Sequence, residues 1–318
     1  MDLNDVTEYD TIRFADDNNY VLSDYDPNDL IKKGNKALKE IDSYLKANTL
    51  LMNIKKTSYM IIKPKDPKPI EIIEKLELNG IEIEKVESAR FLGIYFDDKL
   101  SFKPQFEHLK DKINTGIKAL ICTRNLLNYK AKMLLYHASI KSHIDYCCLA
   151  YFDKLEIGQM NELVALQKQA VRLIFRAKKR THTSPLFKLS GILPISKQYE
   201  YEATKYVFKY NNELSRENQP KAIKDLFGLE KETRTRKDPN KMKIPKGYKK
   251  GQCMYNLIDN WNNCQNELKM CGNVWSLKQM LKKKYNEEYE ECTTKNCFIC
   301  KQDQDRNFEG YKNYQDQL

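Results

Sequence analysis

At 318 residues the chain is long for one domain at about 150 residues each, so two or three cooperating units are expected. With 41% hydrophobic residues and 20 tyrosines it can bury a core, which excludes low-complexity disorder for the whole. No run approaches the roughly 18 apolar residues of a membrane span, and acidic residues rather than a signal peptide follow Met1, so no membrane partner and a location in the cytoplasm or nucleus are expected.

The net charge of +11 is unevenly spread: residues 1–30 hold nine Asp or Glu and one Arg, which is −8, leaving +19 on the other 288 residues. An acidic start on a basic remainder suits a metal-dependent nucleic-acid enzyme, where carboxylates hold metal and cations hold phosphate. It also suits an ordinary Lys-rich surface. Within the acidic start, Thr11, Ile12, Arg13 and Phe14 run into Ala15, Asp16 and Asp17, then Asn18, Asn19, Tyr20, Val21 and Leu22. The pattern predicts strand, tight turn, strand. Successive strand residues point to opposite faces, so neighbouring carboxylates share one site only where the backbone bends. Two-metal phosphoryl transfer needs carboxylates gathered around ions about 4 Å apart, whereas an ordinary polar turn needs nothing of Asp16 and Asp17 beyond their turn preference.

Residues 27–48 predict a helix with Leu30, Ile31, Gly34, Leu38, Ile41 and Leu45 on one stripe and lysines on the other. Residues 53–63 read as a strand running toward Pro64, and Pro64, Pro67 and Pro69 as a stiff connection. Asn79-Gly80 joins Leu76 and Leu78 to Ile81 and Ile83, a strong hairpin signal. Residues 90–96 are expected to add a third strand to this meander, with Gly93 admitting another backbone. A meander without any ligand explains the same residues.

From Ser101 the period becomes helical through Phe106, Leu109, Ile113, Ile117 and Leu120. Two more helices are expected at about 129–150 and 157–178, the latter striped by Leu163, Leu166, Ala170, Leu173 and Ile174. Three such helices with short links make a bundle. Arg172, Arg176, Lys178, Lys179 and Arg180 gather at the last helix's C-terminus, as phosphate ligands or as cations favoured by the helix dipole. A second basic stretch, Lys231–Lys250, has nine basic and two acidic residues, including Arg234, Arg236 and Lys237. Its prolines and glycines predict a loop that tracks phosphates without reading bases.

Nine cysteines without secretory context read as thiols or metal ligands rather than disulfides. Cys292, Cys297 and Cys300 have the local spacing of zinc ligands, but no Cys or His follows, so a fourth ligand would come from Cys264, Cys271 or elsewhere. His108, His137, His143 and His182 have no mutual ligand spacing.

Phe14-Ala15-Asp16-Asp17 resembles the Tyr/Phe-x-Asp-Asp motif of reverse transcriptases, and Leu3-Asn4-Asp5 resembles the strand end preceding it in LINE-type enzymes. Leu45 to Thr57, ending Leu51-Met52-Asn53-Ile54-Lys55-Lys56-Thr57, looks like that family's next block, and Phe91-Leu92-Gly93-Ile94-Tyr95-Phe96-Asp97 is similar to its primer grip. In order and spacing the chain thus resembles the C-terminal portion of a non-LTR, LINE-type (jockey-like) retrotransposon reverse transcriptase, more weakly out to about residue 280. The resemblance implies an α+β fold: a partial palm over 1–98 with short antiparallel hairpins and one helix, a helical thumb over 99–180, and a basic, helical or irregular region over 181–318. It implies magnesium at Asp16 and Asp17, a primer-grip role for Phe91, Leu92 and Gly93, and nucleic-acid contacts from Lys55 and Lys56 beside the basic clusters. Template RNA, primer DNA and their hybrid would be partners, held largely without sequence preference. Zinc at Cys292, Cys297 and Cys300 would match a family Cys/His knuckle. The family's third carboxylate and fingers lie upstream of this motif, so the expectation is a truncated RNA-directed DNA polymerase, inactive alone. The alternative is a catalytically inert helical nucleic-acid-binding or scaffold protein in which Asp16 and Asp17 only form a turn.

Overall fold

A computed structural model describes residues 9–62 apart from Asp16, 75–210, the isolated positions 242, 244, 247 and 249–250, and 252–287. The fold is α+β, mostly helical with a few short antiparallel hairpins. The chain divides into two compact units, residues 1–104 and 105–318.

The first unit opens on β1 (Asp10–Phe14) and β2 (Asp17–Val21), antiparallel from the Asp10–Val21 pair to the Phe14–Asp17 pair. Helix α1 (Pro27–Ala47) follows; the Asp26 carboxylate accepts from the Asn28 N–H at 2.7 Å, and Pro27 occupies the first turn, where a missing N–H leaves no bond unmade. Its buried stripe is Ile31, Gly34, Ala37, Leu38 and Ile41, and Leu38 packs with Leu76, Leu78 and Ile83 in a small core.

The strand expected over 53–63 is broken by a helical turn. Ile54–Lys56 forms one 3-10 turn, closed by the Lys56 N–H on the Asn53 carbonyl at 3.0 Å and the Thr57 hydroxyl on the same oxygen at 3.0 Å. Such local side-chain bonds compete with extended pairing. Among the described residues of this segment, strand structure is confined to β3 (Ser58–Tyr59), which pairs in parallel with β6 (Glu84–Lys85).

The expected three-stranded meander is likewise resolved into separate pairs. Asn79 and Gly80, both at positive φ, turn β4 (Glu77–Leu78) into β5 (Ile81–Glu82) as Asn-Gly should. The segment read as a third strand is instead a hairpin, β7 (Ser88–Phe91) and β8 (Ile94–Asp97), with Leu92 (φ 45°) and Gly93 (φ 83°) as its two-residue turn. Positive φ at both turn positions matches the right-handed twist of the strands, at about 1–2 kcal/mol for a non-glycine residue such as Leu92. Gly93 therefore serves the turn.

The second unit is helical. Helix α2 (Lys103–Cys122, its first turn overlapping the unit boundary) buries Phe106, Leu109, Ile113, Ile117 and Leu120, the stripe expected from the sequence. The helix expected over 129–150 is interrupted. After α3 (Tyr129–Tyr136) the backbone widens to a π turn over His137–Lys141, continues as α4 (Ser142–Asp145), and breaks where Tyr146 is extended and Cys147 sits at φ 50° before α5 (Cys148–Tyr151). The Ser139 and Ser142 hydroxyls donate to carbonyls four residues back, at 2.6 Å each, a local competition that loosens helical geometry. A Cβ on Gly116 would lie 2.4 Å from Ile140 Cγ1 and 2.9 Å from the Ser139 carbonyl oxygen, so α2 tolerates this mid-helix glycine because nothing larger fits.

Helix α6 (Ile157–Ile174) carries Gln167 into the interior. The Gln167 amide nitrogen donates to the Tyr136 hydroxyl (3.0 Å) and the Leu193 carbonyl (2.9 Å), and its oxygen accepts the Ile195 N–H (2.8 Å) at the start of α8 (Ile195–Phe208). Helix α7 (Ser184–Ser190) lies between them in sequence. Past α8, the helices α9 (Cys253–Asn263), α10 (Asn266–Lys269) and α11 (Val274–Glu287) add Leu257, Trp261, Leu268, Leu277, Leu281 and Tyr285 to Val207 and Phe208 in a large apolar core. Replacing Gln167 by Leu strands an N–H and a C=O in that interior, so an urea melt of Gln167→Leu should show a loss of about 2–4 kcal/mol, at about 1–3 kcal/mol for each unsatisfied group.

Candidate nucleic-acid interface

The Asp-Asp string falls at the β1–β2 bend: Ala15 leaves β1 at φ 54°, and Asp17 opens β2 opposite Phe14. Asp16 itself lies outside the described residues. Asp17 is exposed. Directly paired antiparallel residues share a face, so Asp17 stands with Phe14, Ile12 and Val21, which are 61%, 49% and 53% exposed. Among the described residues no group of three or more His, Cys, Asp or Glu could hold a metal ion.

Lys55 and Lys56 lie exposed on the 3-10 turn. Phe91, Leu92 and Gly93 form the tip of the β7–β8 hairpin, with Leu92 exposed at the turn. What anchors that hairpin is Asp97 at its far end. Its buried carboxylate accepts from the Phe102 N–H at 2.8 Å and the Ser101 hydroxyl at 2.7 Å, holding a corner where Leu100 and Phe102 both have positive φ. Asp97→Ala leaves the buried Phe102 N–H unbonded and should lower stability by about 1–3 kcal/mol in a denaturant titration.

The cations of the α6 terminus divide. Arg172 is half-buried and turns back: its Nε donates to the Thr181 carbonyl at 2.9 Å, and burial pulls its guanidinium below the usual arginine value. It braces the loop that carries the others. Arg176, at φ 54°, ends the helix, and Arg176, Lys178, Lys179 and Arg180 are all exposed there. Arg234, Arg236, Lys237, Cys292, Cys297 and Cys300 lie outside the described residues. The six described cysteines are unbridged, in keeping with thiols.

Lys132, which belongs to neither basic cluster of the sequence, lies on the helix that packs against this end of α6. Helix α3 meets α6 through the Tyr129 and Phe175 rings, 5.3 Å apart between centroids. One turn on, Lys132 is only 1% exposed, on the buried face shared by Tyr129 and Tyr136. Burial, then repulsion from Arg176 and Arg124, pushes its ammonium below the usual lysine value. The sequence signal was a lysine among the core positions of an apolar stripe, 129, 132 and 136.

This depression has a definite sign. Between the folded value of Lys132 and the ordinary 10.5, the unfolded chain holds a proton that the folded chain has released. Wild-type stability, measured relative to Lys132→Met, should therefore rise with pH through that window and level off above it. Equilibrium unfolding of both proteins from neutral pH to above 10.5 reads the difference.

Comparison with protein-family models, with curated proteins and with solved structures finds no match to this chain.

Proposed function

We propose that this chain is palm and thumb of a LINE-type reverse transcriptase and that, taken alone, it binds RNA, DNA and their hybrid through phosphates without sequence preference. The observation that carries the reading is the setting of the Phe14–Asp17 string. It falls on a hairpin bend with Asp17 exposed at the first position of β2, where paired carboxylates can reach one ion. Asp16 and Asp17 would hold magnesium; bound there, the metal neutralises charge on reacting phosphate oxygens. The residues of the chain itself supply position. A hairpin holds Asp17 in register with Phe14, and the bundle's cationic end at Arg176, Lys178, Lys179 and Arg180 offers charge to a backbone.

Among the described residues no three His, Cys, Asp or Glu side chains gather as two-metal chemistry requires, so the binding property is the one to test on the chain itself. An RNA–DNA hybrid should bind with affinity falling steeply between low and moderate salt. Changing Lys178, Lys179 and Arg180 together to Gln should weaken binding alike for all sequences and flatten the salt slope by about 3, at roughly 0.9 per lost phosphate contact. Salt-insensitive or absent binding would favour the other reading, a helical scaffold whose hairpin presents Ile12, Phe14 and Val21 to a protein.

A further inference from the structure

We infer that the outward face of α11 is a platform for single-stranded nucleic acid, on which Trp275 stacks an unpaired base while Lys278 and Lys282 hold the flanking phosphates. The inference rests on the nucleic-acid reading for its partner and adds a contact outside the two basic clusters of the sequence. What the helix buries fixes its rotation. Leu277, Leu281 and Tyr285, at 0%, 0% and 3% exposed, join the core beside Val207 and Phe208. At the start of α11 the Asn273 side chain accepts the Ser276 N–H at 2.8 Å, and near its end the Lys284 ammonium donates to a Glu200 carboxylate oxygen at 3.4 Å. With that stripe turned inward, Trp275 points out, 69% exposed. At about 100° and 1.5 Å per residue, Lys282 stands about 20° from Trp275 around the axis and about 10.5 Å along it. Lys278, about 60° away and about 4.5 Å along, marks the rim of the same face. Lys282 is exposed, as is Gln279 beside it, and Lys278 is part-buried.

The chain holds two tryptophans, and folding treats them oppositely: Trp261 is 1% exposed in the core, whereas Trp275 offers a large aromatic face to solvent. The surroundings of that face are cationic. Residues 274–286 contain four lysines and neither Asp nor Glu. A matching partner must bring a flat π-face to the indole and anionic groups to the lysines. Unpaired bases on a phosphodiester backbone bring both, and stacking on an aromatic side chain accepts any base. In a duplex the base faces are covered by their neighbours, so Trp275 selects single strands, while the exposed cations after α6 accept a backbone of either kind. An anionic membrane surface also attracts indole and lysine, but it takes up a helix by an apolar face left open for insertion. Helix α11 commits its apolar face to the core, with Leu277 and Leu281 fully buried.

The test uses the full chain, with oligothymidylate, an RNA–DNA hybrid and phosphatidylserine vesicles as probes. Oligothymidylate should quench the emission of the exposed indole, and Trp275→Ala should abolish the quenching, since Trp261 is shut in the core. Trp275→Ala should also weaken oligothymidylate binding about tenfold. Its salt slope and melting temperature should stay where they are, because stacking releases no counterions and a position this exposed carries little of the fold. Trp275→Phe should recover most of the affinity, as another ring on which a base can stack. The double variant Lys278→Gln/Lys282→Gln should keep the quenching at low salt and lower the salt slope by about 1.4, at roughly 0.7 for each single-strand phosphate contact. Oligothymidylate binding that leaves the emission unchanged, or that is equal in wild type and Trp275→Ala, would overturn the platform, and hybrid binding retained beside it spares the nucleic-acid reading. Trp275-dependent quenching with no hybrid binding would keep the platform and sink that reading. Binding of neither nucleic acid sinks both. A blue shift of the Trp275 emission on the vesicles, without oligothymidylate binding, overturns the platform in favour of a membrane surface.

Discussion

The helical unit is organised around one buried amide. Gln167 sits in the interior of α6, and each polar atom it carries there is met: its nitrogen by the Tyr136 hydroxyl and the Leu193 carbonyl, its oxygen by the Ile195 N–H. A fully bonded buried polar group specifies an arrangement more narrowly than apolar contact does, because a small shift leaves a donor or acceptor unmet. Through this one side chain α6 is locked to the end of α3 and to the start of α8. The same unit is closely packed elsewhere: Gly116 lets α2 come against Ile140 and Ser139, and Ile113, Ile140, Leu163 and Ile174 are fully buried.

That registration also sets the electrostatics. Holding α3 against α6 through Tyr129 and Phe175 brings the charge of Arg176 to bear on Lys132, whose ammonium burial and that repulsion together hold below the usual lysine value. Arg172 takes the opposite course: it turns inward to the Thr181 carbonyl and shapes the loop on which Lys178, Lys179 and Arg180 stand. A row of five basic residues in sequence thus separates into a brace and a presenting surface, a division that depends on which side of the helix end each residue leaves from.

Much of the local structure was legible. The α1 and α2 stripes match the period of 3.6, and Asn79-Gly80 turns where its tolerance of positive φ allows. Elsewhere local chemistry overrode the pattern. Leu92 is not a turn residue by preference, so the hairpin at Leu92–Gly93 read as a strand. Asn53 and Thr57 closed a 3-10 turn inside an apolar run. Serine back-bonds widened α3 into a π turn at a place where periodicity predicted unbroken helix. In residues 181–318 abundant charge masks the spacing of Leu257, Trp261, Leu277, Leu281 and Tyr285, which build a core. Lysine stems cover that core from outside, as where Lys197 and Lys284 lie over the Tyr285 ring.

By itself, then, the amino-acid order determined the class of the fold, the main helices, the bend beneath Asp17 and the excess of positive charge, since each depends on residues within a turn or two of one another. Whether a given cation faces water, braces a loop or lies buried was settled only by tertiary packing. Arg172, Arg176 and Lys132 are alike as basic residues on or beside helices; their surroundings come from segments many residues away, and burial and neighbouring charge give each a different role.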